Sequence, residues 1–471
     1  MPIASPTPTS SRRRKVLALV PTLVALVTGA APATAQEALA LVDRLDGIAG
    51  AEVRAGRSVG IVANVTKANE SLLLRAYGKT DVETDEAISV DTVVSVGSVT
   101  KQFTAAAILR LRDREKLTLD DEVTEWLPDF RTHGNKVTLR HLLGHTSGVA
   151  DFTAMPELRR LRMLRNPDLT RDAIYEVVNT QPFQFPTGTR QAYSNTGYWL
   201  LGRIVEKASG TGYEDFVERE LLAPLGMTRT RFGSDAEELP RCAAGHGVRG
   251  GTPRRAPRIV HTGTFAAGAL YSTGEDMVVW LRALHRGKVL SAKSYVDMIA
   301  PSCLADGTPT RYGMGMVLGL DRHGRSFLGH DGGGFGFSAV TRWYPDAELA
   351  VVVLTNSEPD AITAVADELV AAVLPQPPEA KAFQGDSSVF VGKYGGPGRT
   401  AGTNLLVEVT KTATGLALSV EGGAAEPLLW TTEWAFRSGD SMVVFFGGGE
   451  GGAATKLRFD TGGDHVVLTR Q

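Results

Sequence analysis

Two residues, Ser98 and Lys101, carry the first chemical signal in the chain. They lie in Val96-Gly97-Ser98-Val99-Thr100-Lys101, directly before the apolar run from Phe103 to Leu111. Gly97 reads as a turn that opens a helix, and residues at i and i+3 share one helical face. The Lys101 amine can therefore meet the Ser98 hydroxyl without help from distant sequence. A serine attacks a carbonyl only when a base takes its proton. A lysine is such a base only when burial lowers its pKa, and the apolar run supplies that burial. By itself the spacing also fits a helix-capping serine beside a surface lysine.

Two later segments add to it. Tyr193-Ser194-Asn195 follows Phe185-Pro186-Thr187-Gly188. A phenol beside an amine can relay a proton, and an asparagine can hydrogen-bond both a lysine and a substrate amide. Gly329-His330-Asp331-Gly332-Gly333-Gly334 then leads toward a strand expected to start near Phe337. Consecutive glycines at a strand edge let a ligand approach the backbone and leave amides free to donate; a plain turn is the competing reading.

Other chemistries are excluded. Gly56-Arg57-Ser58-Val59-Gly60 spells G-x-S-x-G, but it runs into an expected strand instead of joining a strand to a helix, so it is no nucleophile elbow, and the chain has no phosphate-binding P-loop. His141 and His145 have the spacing of a helical zinc pair, but no glutamate follows His141 and Gly144 ends the helix. Packing and turn hydrogen bonds are their expected work. No metal and no cofactor are expected. The formal net charge is −2, with no basic stripe, so nucleic acid is not an expected partner. Cys242 and Cys303 are the two cysteines; a disulfide and two free thiols are both open.

What must position these residues is a chain of 471 residues, 43% hydrophobic and 22% charged, long enough for two domains. Residues 1–35 read as a signal peptide: Arg12-Arg13-Arg14-Lys15, a short apolar stretch broken by Pro21, then Ala33-Thr34-Ala35. The mature protein is expected to begin at Gln36, secreted or periplasmic, with no stable membrane span after cleavage. A twin-arginine signal is a second export route. Residues 36–374 read as an α+β domain. A helix from Glu37 to Ile48 precedes a hairpin of Val59 to Lys67 and Ser71 to Gly78. A second hairpin, Phe337 to Tyr344 with Leu349 to Asn356, precedes a helix from Asp360 to Leu374. An antiparallel sheet built from both ends, backed by the terminal helices and flanked by a helical subdomain, follows. Residues 375–388 are a proline-rich linker. Residues 389–471 read as a small closed barrel or sandwich, with strands near 405–411, 416–421, 442–446, 456–459 and 465–470.

Ser98-x-x-Lys101, Tyr193-x-Asn195 and His330-x-Gly332, in this order, resemble the serine β-lactamase and penicillin-binding family. The likeness is strongest to its class C β-lactamases, D-stereospecific peptidases and related esterases. Val137 to Val149, Tyr193 to Gly202 and Pro224-Leu225-Gly226-Met227 extend the resemblance, which runs from about Leu39 to Leu374. It implies an acyl-enzyme mechanism on a small-molecule ester, amide or peptide. Ser98 would be the nucleophile, Lys101 its base, Tyr193 the proton relay and Asn195 the group orienting Lys101 and the substrate. The amides of Ser98 and Gly333 would form the oxyanion hole. The C-terminal barrel resembles the lipocalin-like appendages of some relatives. Three positions depart from the pattern. His330 stands where β-lactamases have lysine, as in esterase and D-peptidase relatives. Asp331 replaces a threonine or serine, and Thr187 alters a Pro-Gly turn. If Asp331 faced the pocket with Gly332, it would repel a substrate carboxylate.

Overall fold

The computed structural model describes residues 35–154, 169–235, 239–249, 252–258, 260–358, 362–375, 383, 385–397, 404–432, 435–438, 441–447, 452–461 and 464–471. The expected leader and most of the expected linker lie outside the described residues. Among the described residues no helix is long and apolar enough to cross a membrane.

The larger unit is built on a six-stranded sheet. Its strands are β1 (Gly60–Lys67), β2 (Glu70–Gly78), β3 (Val317–Leu320), β4 (Ser326–Gly334), β5 (Phe337–Tyr344) and β6 (Leu349–Thr355). The spatial order is β2-β1-β6-β5-β4-β3, antiparallel throughout. Helices cover both faces, so the central strands read as continuous apolar runs; all seven residues of β6 are buried. Alternation along each strand divides the core in two. On one face Leu45 of helix α1 (Ala35–Ala49) and Leu369 of helix α4 (Ile362–Val373) pack against Ile61, Val340 and Val353. On the other, Val62, Ala339, Trp343 and Leu354 meet the helical region.

Helix α2 (Thr100–Asp113) is the axis of that helical region. Every residue from Thr100 to Leu109 is buried, because Ala105-Ala106-Ala107 leaves room for neighbours on all sides. Helix α3 (Asn195–Ser209), capped by the Ser194 side chain at the Gly197 amide, packs against it.

One open choice is settled and one expectation is corrected. Of the two readings of the glycine segment the strand holds and the plain turn does not: it is the C-terminal half of β4, with Gly333 opposite Ser338 and Gly334 opposite Phe337. The C-terminal unit is a closed barrel of eight strands rather than five: β7 (Gly392–Pro397), β8 (Asn404–Thr412), β9 (Gly415–Val420), β10 (Glu426–Thr432), β11 (Ala435–Ser438), β12 (Ser441–Phe446), β13 (Lys456–Thr461) and β14 (Asp464–Arg470). The three missed strands lack a readable period. Four of the six residues of β7 are glycine or proline, β10 carries Pro427, and β11 has four residues. Phe390, Tyr394, Phe436 and Phe445 fill the barrel, and closure leaves no free edge.

Candidate active site

Gly97 turns the chain at φ +49°, a left-handed backbone that favours glycine. Ser98 follows in the short 3-10 turn Gly97–Val99, which runs directly into α2. Lys101 thus lies one turn along, and its Nζ donates to Ser98 Oγ at 3.1 Å. It also donates to Asn195 Oδ1 at 2.8 Å and to the Ala267 carbonyl at 2.7 Å. Lys101 is fully buried. Burial lowers its pKa to about 7, with the more distant Asp151 carboxylate opposing the fall.

These contacts aim the amine. Asn195 Nδ2 donates to Asp151 Oδ2 at 3.2 Å, which leaves Oδ1 facing Lys101. Oδ1 and the Ala267 carbonyl are acceptors only, so they take the two N–H groups of a neutral amine. Its lone pair is then left toward the Ser98 hydroxyl. The Tyr193 ring lies 4.7 Å from Lys101 Nζ, close enough for a cation–π contact with the protonated amine.

Strand β4 closes the other side. Gly332 approaches the serine turn so tightly that a methyl group there would stand 2.0 Å from the Val96 carbonyl and 3.0 Å from Ser98 N. A methyl group on Gly97 would stand 2.9 Å from Gly333 N. Only glycines allow this approach, which brings the backbones carrying the Ser98 and Gly333 amides together.

His330 lies on the same face of β4 as Gly332. Its Nδ1–H donates to the Asp331 carbonyl at 2.6 Å, so Nε2 is the acceptor, taking the Tyr312 hydroxyl at 2.9 Å. Burial, then the Lys101 charge, lower its pKa to about 4. His330 is therefore neutral near pH 7, and no cation stands at this position. His145, also buried, accepts the Ser194 amide on Nδ1 at 3.2 Å. Its ring lies 4.4 Å from that of Tyr193 and 4.6 Å from that of Tyr312. His141 spends its Nδ1 on the Thr138 amide.

Ser98, Lys101, Tyr193, Asn195, His330, Gly332 and Gly333 thus come together, while Asp331 turns away. Its carboxylate forms a bidentate pair with Arg342 across the sheet, one contact at 2.9 Å. The expected repulsion of a substrate carboxylate is therefore withdrawn, because strand alternation puts Asp331 opposite His330 and Gly332. Cys242 and Cys303 are free thiols.

Sequence reasoning missed Asp151, the Ala267 carbonyl and Tyr312. Asp151 stands two residues after Val149, where the segment from Val137 ends, close enough to have been included. Tyr312 precedes Gly313 and Gly315, where a methyl group at Gly315 would stand 2.4 Å from the Lys101 carbonyl. Nothing local marks Ala267. A cavity of about 360 Å³, lined in part by Tyr271, Phe335 and Phe337, opens beside the site rather than over Ser98.

Residues 41–374 match the family described as Beta-lactamase. The chain is 27% identical over 418 residues to penicillin-binding protein 4* of Bacillus subtilis, spanning 83% of this chain and 91% of that protein. It is 30% identical over 372 residues to the esterase EstB of Burkholderia gladioli, spanning 68% of this chain and 92% of that protein. Among solved structures, the D-amino acid amidase of Ochrobactrum anthropi superposes with a TM-score of 0.62 at 26% identity, covering 71% of this chain and 98% of the amidase. Fold, site and these likenesses agree: the chain belongs to the beta-lactamase family, whose members related to it are serine hydrolases.

Proposed function

We propose that the protein is an exported serine hydrolase that cleaves esters or amides through an acyl-Ser98 intermediate. One observation carries the reading: Lys101 Nζ, fully buried with its pKa lowered to about 7, is bonded to Ser98 Oγ. In acylation Lys101 takes the hydroxyl proton as Oγ bonds to the carbonyl carbon. The Ser98 and Gly333 amides hold the oxyanion, each contributing about 3 kcal/mol. Collapse breaks the bond to the leaving group, and the proton taken by Lys101 passes through Tyr193 to the departing alcohol or amine. Water then attacks the acyl-enzyme along the reverse path.

The substrate class is an ester or a D-amino-acid amide. A neutral His330 offers no charge to a carboxylate beside the scissile bond, which disfavours penicillins and D-alanyl peptides relative to uncharged leaving groups. The relatives' names, esterase and D-amino acid amidase, point the same way. A β-lactamase or D,D-carboxypeptidase is the second reading, favoured by the likeness to a penicillin-binding protein.

The test sets p-nitrophenyl esters and D-phenylalanine amide beside a fluorescent penicillin, on wild type and Ser98→Ala. Expected are ester or amide turnover that disappears in Ser98→Ala, and weak penicillin turnover. Equal turnover by both proteins would sink the assignment of Ser98. Faster turnover of penicillin than of any ester or amide would transfer the conclusion to the second reading. For export, secreted protein should begin at Gln36; a chain beginning at Met1 would refute the leader.

A further inference from the structure

The barrel touches the larger unit at a place that leads into the reaction site. Residues 302–312 form a hairpin. Ser302 N donates to the Tyr312 carbonyl at 2.8 Å, and Thr310 N to the Ser302 carbonyl at 2.7 Å. The hairpin tip is Asp306-Gly307, with Gly307 at φ +82°. Lys456 of barrel strand β13 pairs with Asp306 and donates to Thr308 Oγ1 at 3.3 Å. Two residues along the same strand face, Arg458 Nη1 donates to the Pro309 carbonyl at 3.1 Å.

On its inner side the hairpin holds both walls of the site. Its base delivers Tyr312 to His330 Nε2. Ala305 N donates to the Gly188 carbonyl at 2.8 Å, in the segment that continues to Tyr193. That segment is tied in turn to Thr146 by the Gly188 amide and to His145 by the Ala192 amide. From Ser302 to Thr310 the hairpin has one large apolar side chain, Leu304, so polar contacts decide its position more than packing does.

We propose that Lys456 and Arg458 are positioning residues: the barrel holds the 302–312 hairpin and thereby sets Tyr312 on His330 and the Tyr193 segment on His145. The proposal rests on the reading of Ser98 as the nucleophile. A displacement of about 1 Å in such a site costs on the order of a hundredfold in rate, so a partial loosening should cost about tenfold.

The experiment uses the full chain carrying Lys456→Ala and Arg458→Ala together. Expected is about a tenfold slower labelling of Ser98 by a fluorophosphonate, with kcat reduced and KM nearly unchanged. Tyr312→Phe should give a loss of its own, and the triple variant clearly less than the product of the two, because the barrel variant acts in part through the same hydroxyl. Lys456→Arg should restore most of the rate. If the barrel variant fails to fold, Asp306→Asn with Thr308→Val weakens the Lys456 contacts from the other side while Arg458 stays on the Pro309 carbonyl, and a smaller loss in the same direction is expected. Hydrogen exchange gives a readout independent of any substrate. Amides of 302–312 and 188–194 should both lose protection in the barrel variant. Unchanged labelling, additive losses with Tyr312→Phe, or exchange confined to 306–309 would each overturn the proposal. Labelling of Ser98→Ala at the wild-type rate would overturn the nucleophile instead, and the exchange result would still decide the coupling.

Discussion

Two buried cations lie on opposite sides of the sheet, and they behave differently. Lys101, on the helical side, touches a hydroxyl, an amide oxygen and a carbonyl, with no carboxylate in contact. Burial wins, and its pKa falls to about 7. Arg342, on the side of α1 and α4, is equally deep but grips the Asp331 carboxylate and lies 4.2 Å from the Phe327 ring centroid. Burial pulls its pKa down, the Asp331 carboxylate together with Tyr344 and Asp367 opposes that pull, and its pKa ends above the usual value. A guanidinium stays charged in either case, so Asp331 fixes Arg342 as an ion pair, whereas the Lys101 amine, with no carboxylate in contact, becomes a reactive base. Adjacent residues of β4, His330 and Asp331, serve the two sides in turn, so a single strand supports both the chemistry and the clamp behind it.

The contrast can be broken most severely at Lys101. Lys101→Arg keeps the cation but cannot release its proton near neutrality. kcat should fall by about 10²–10⁴-fold, read with whichever ester or amide is turned over best; retention of even a tenth of the rate would remove Lys101 as the base. A smaller effect, on a different quantity, is expected behind the sheet. Arg342→Leu strands no deeply buried charge, because the Asp331 side chain is 51% exposed. It should lower stability by about 1–3 kcal/mol in urea titrations and kcat by less than tenfold. A collapse of kcat at unchanged stability would mean that the clamp belongs to the chemistry. The mildest effect tests what sets Lys101 itself. The acid limb of kcat/KM should have its midpoint near pH 7, since protonated Lys101 cannot act as a base. Asp151 favours the protonated form, so Asp151→Asn should lower that pKa and move the limb to lower pH by less than about 1 unit. A limb that moves upward would contradict the sign.

Legibility followed sequence distance. The Ser98–Lys101 contact is local, set by helical spacing, and could be read before any tertiary structure. The terminal helices and both hairpins of the sheet followed from periodicity, because each element has one apolar face or a continuous apolar run. What could not be read were the partners that only packing supplies. The Ala267 carbonyl comes from a helix with Phe265 at φ 37°, ψ −127° inside it, and no residue pattern announces that break. The direction of Asp331 depended on recognising the glycine segment as strand; once β4 reached Gly334, alternation placed it. The barrel was undercounted where glycine and proline erased the period.

The pairing of β1 with β6 has a consequence for how the protein forms. Ser58 Oγ lies 2.7 Å from Thr355 Oγ1, although the two residues are 297 positions apart in sequence. Everything that bears on Ser98 is enclosed in that span or joined to its ends. Contacts so remote in sequence close late and slowly, because the intervening chain must first give up its freedom. A chain emerging from synthesis or from a translocation pore therefore carries its nucleophile long before the sheet that frames it can close. Recovered hydrolysis during refolding should then follow the slowest phase, making activity a clock for the meeting of the two ends.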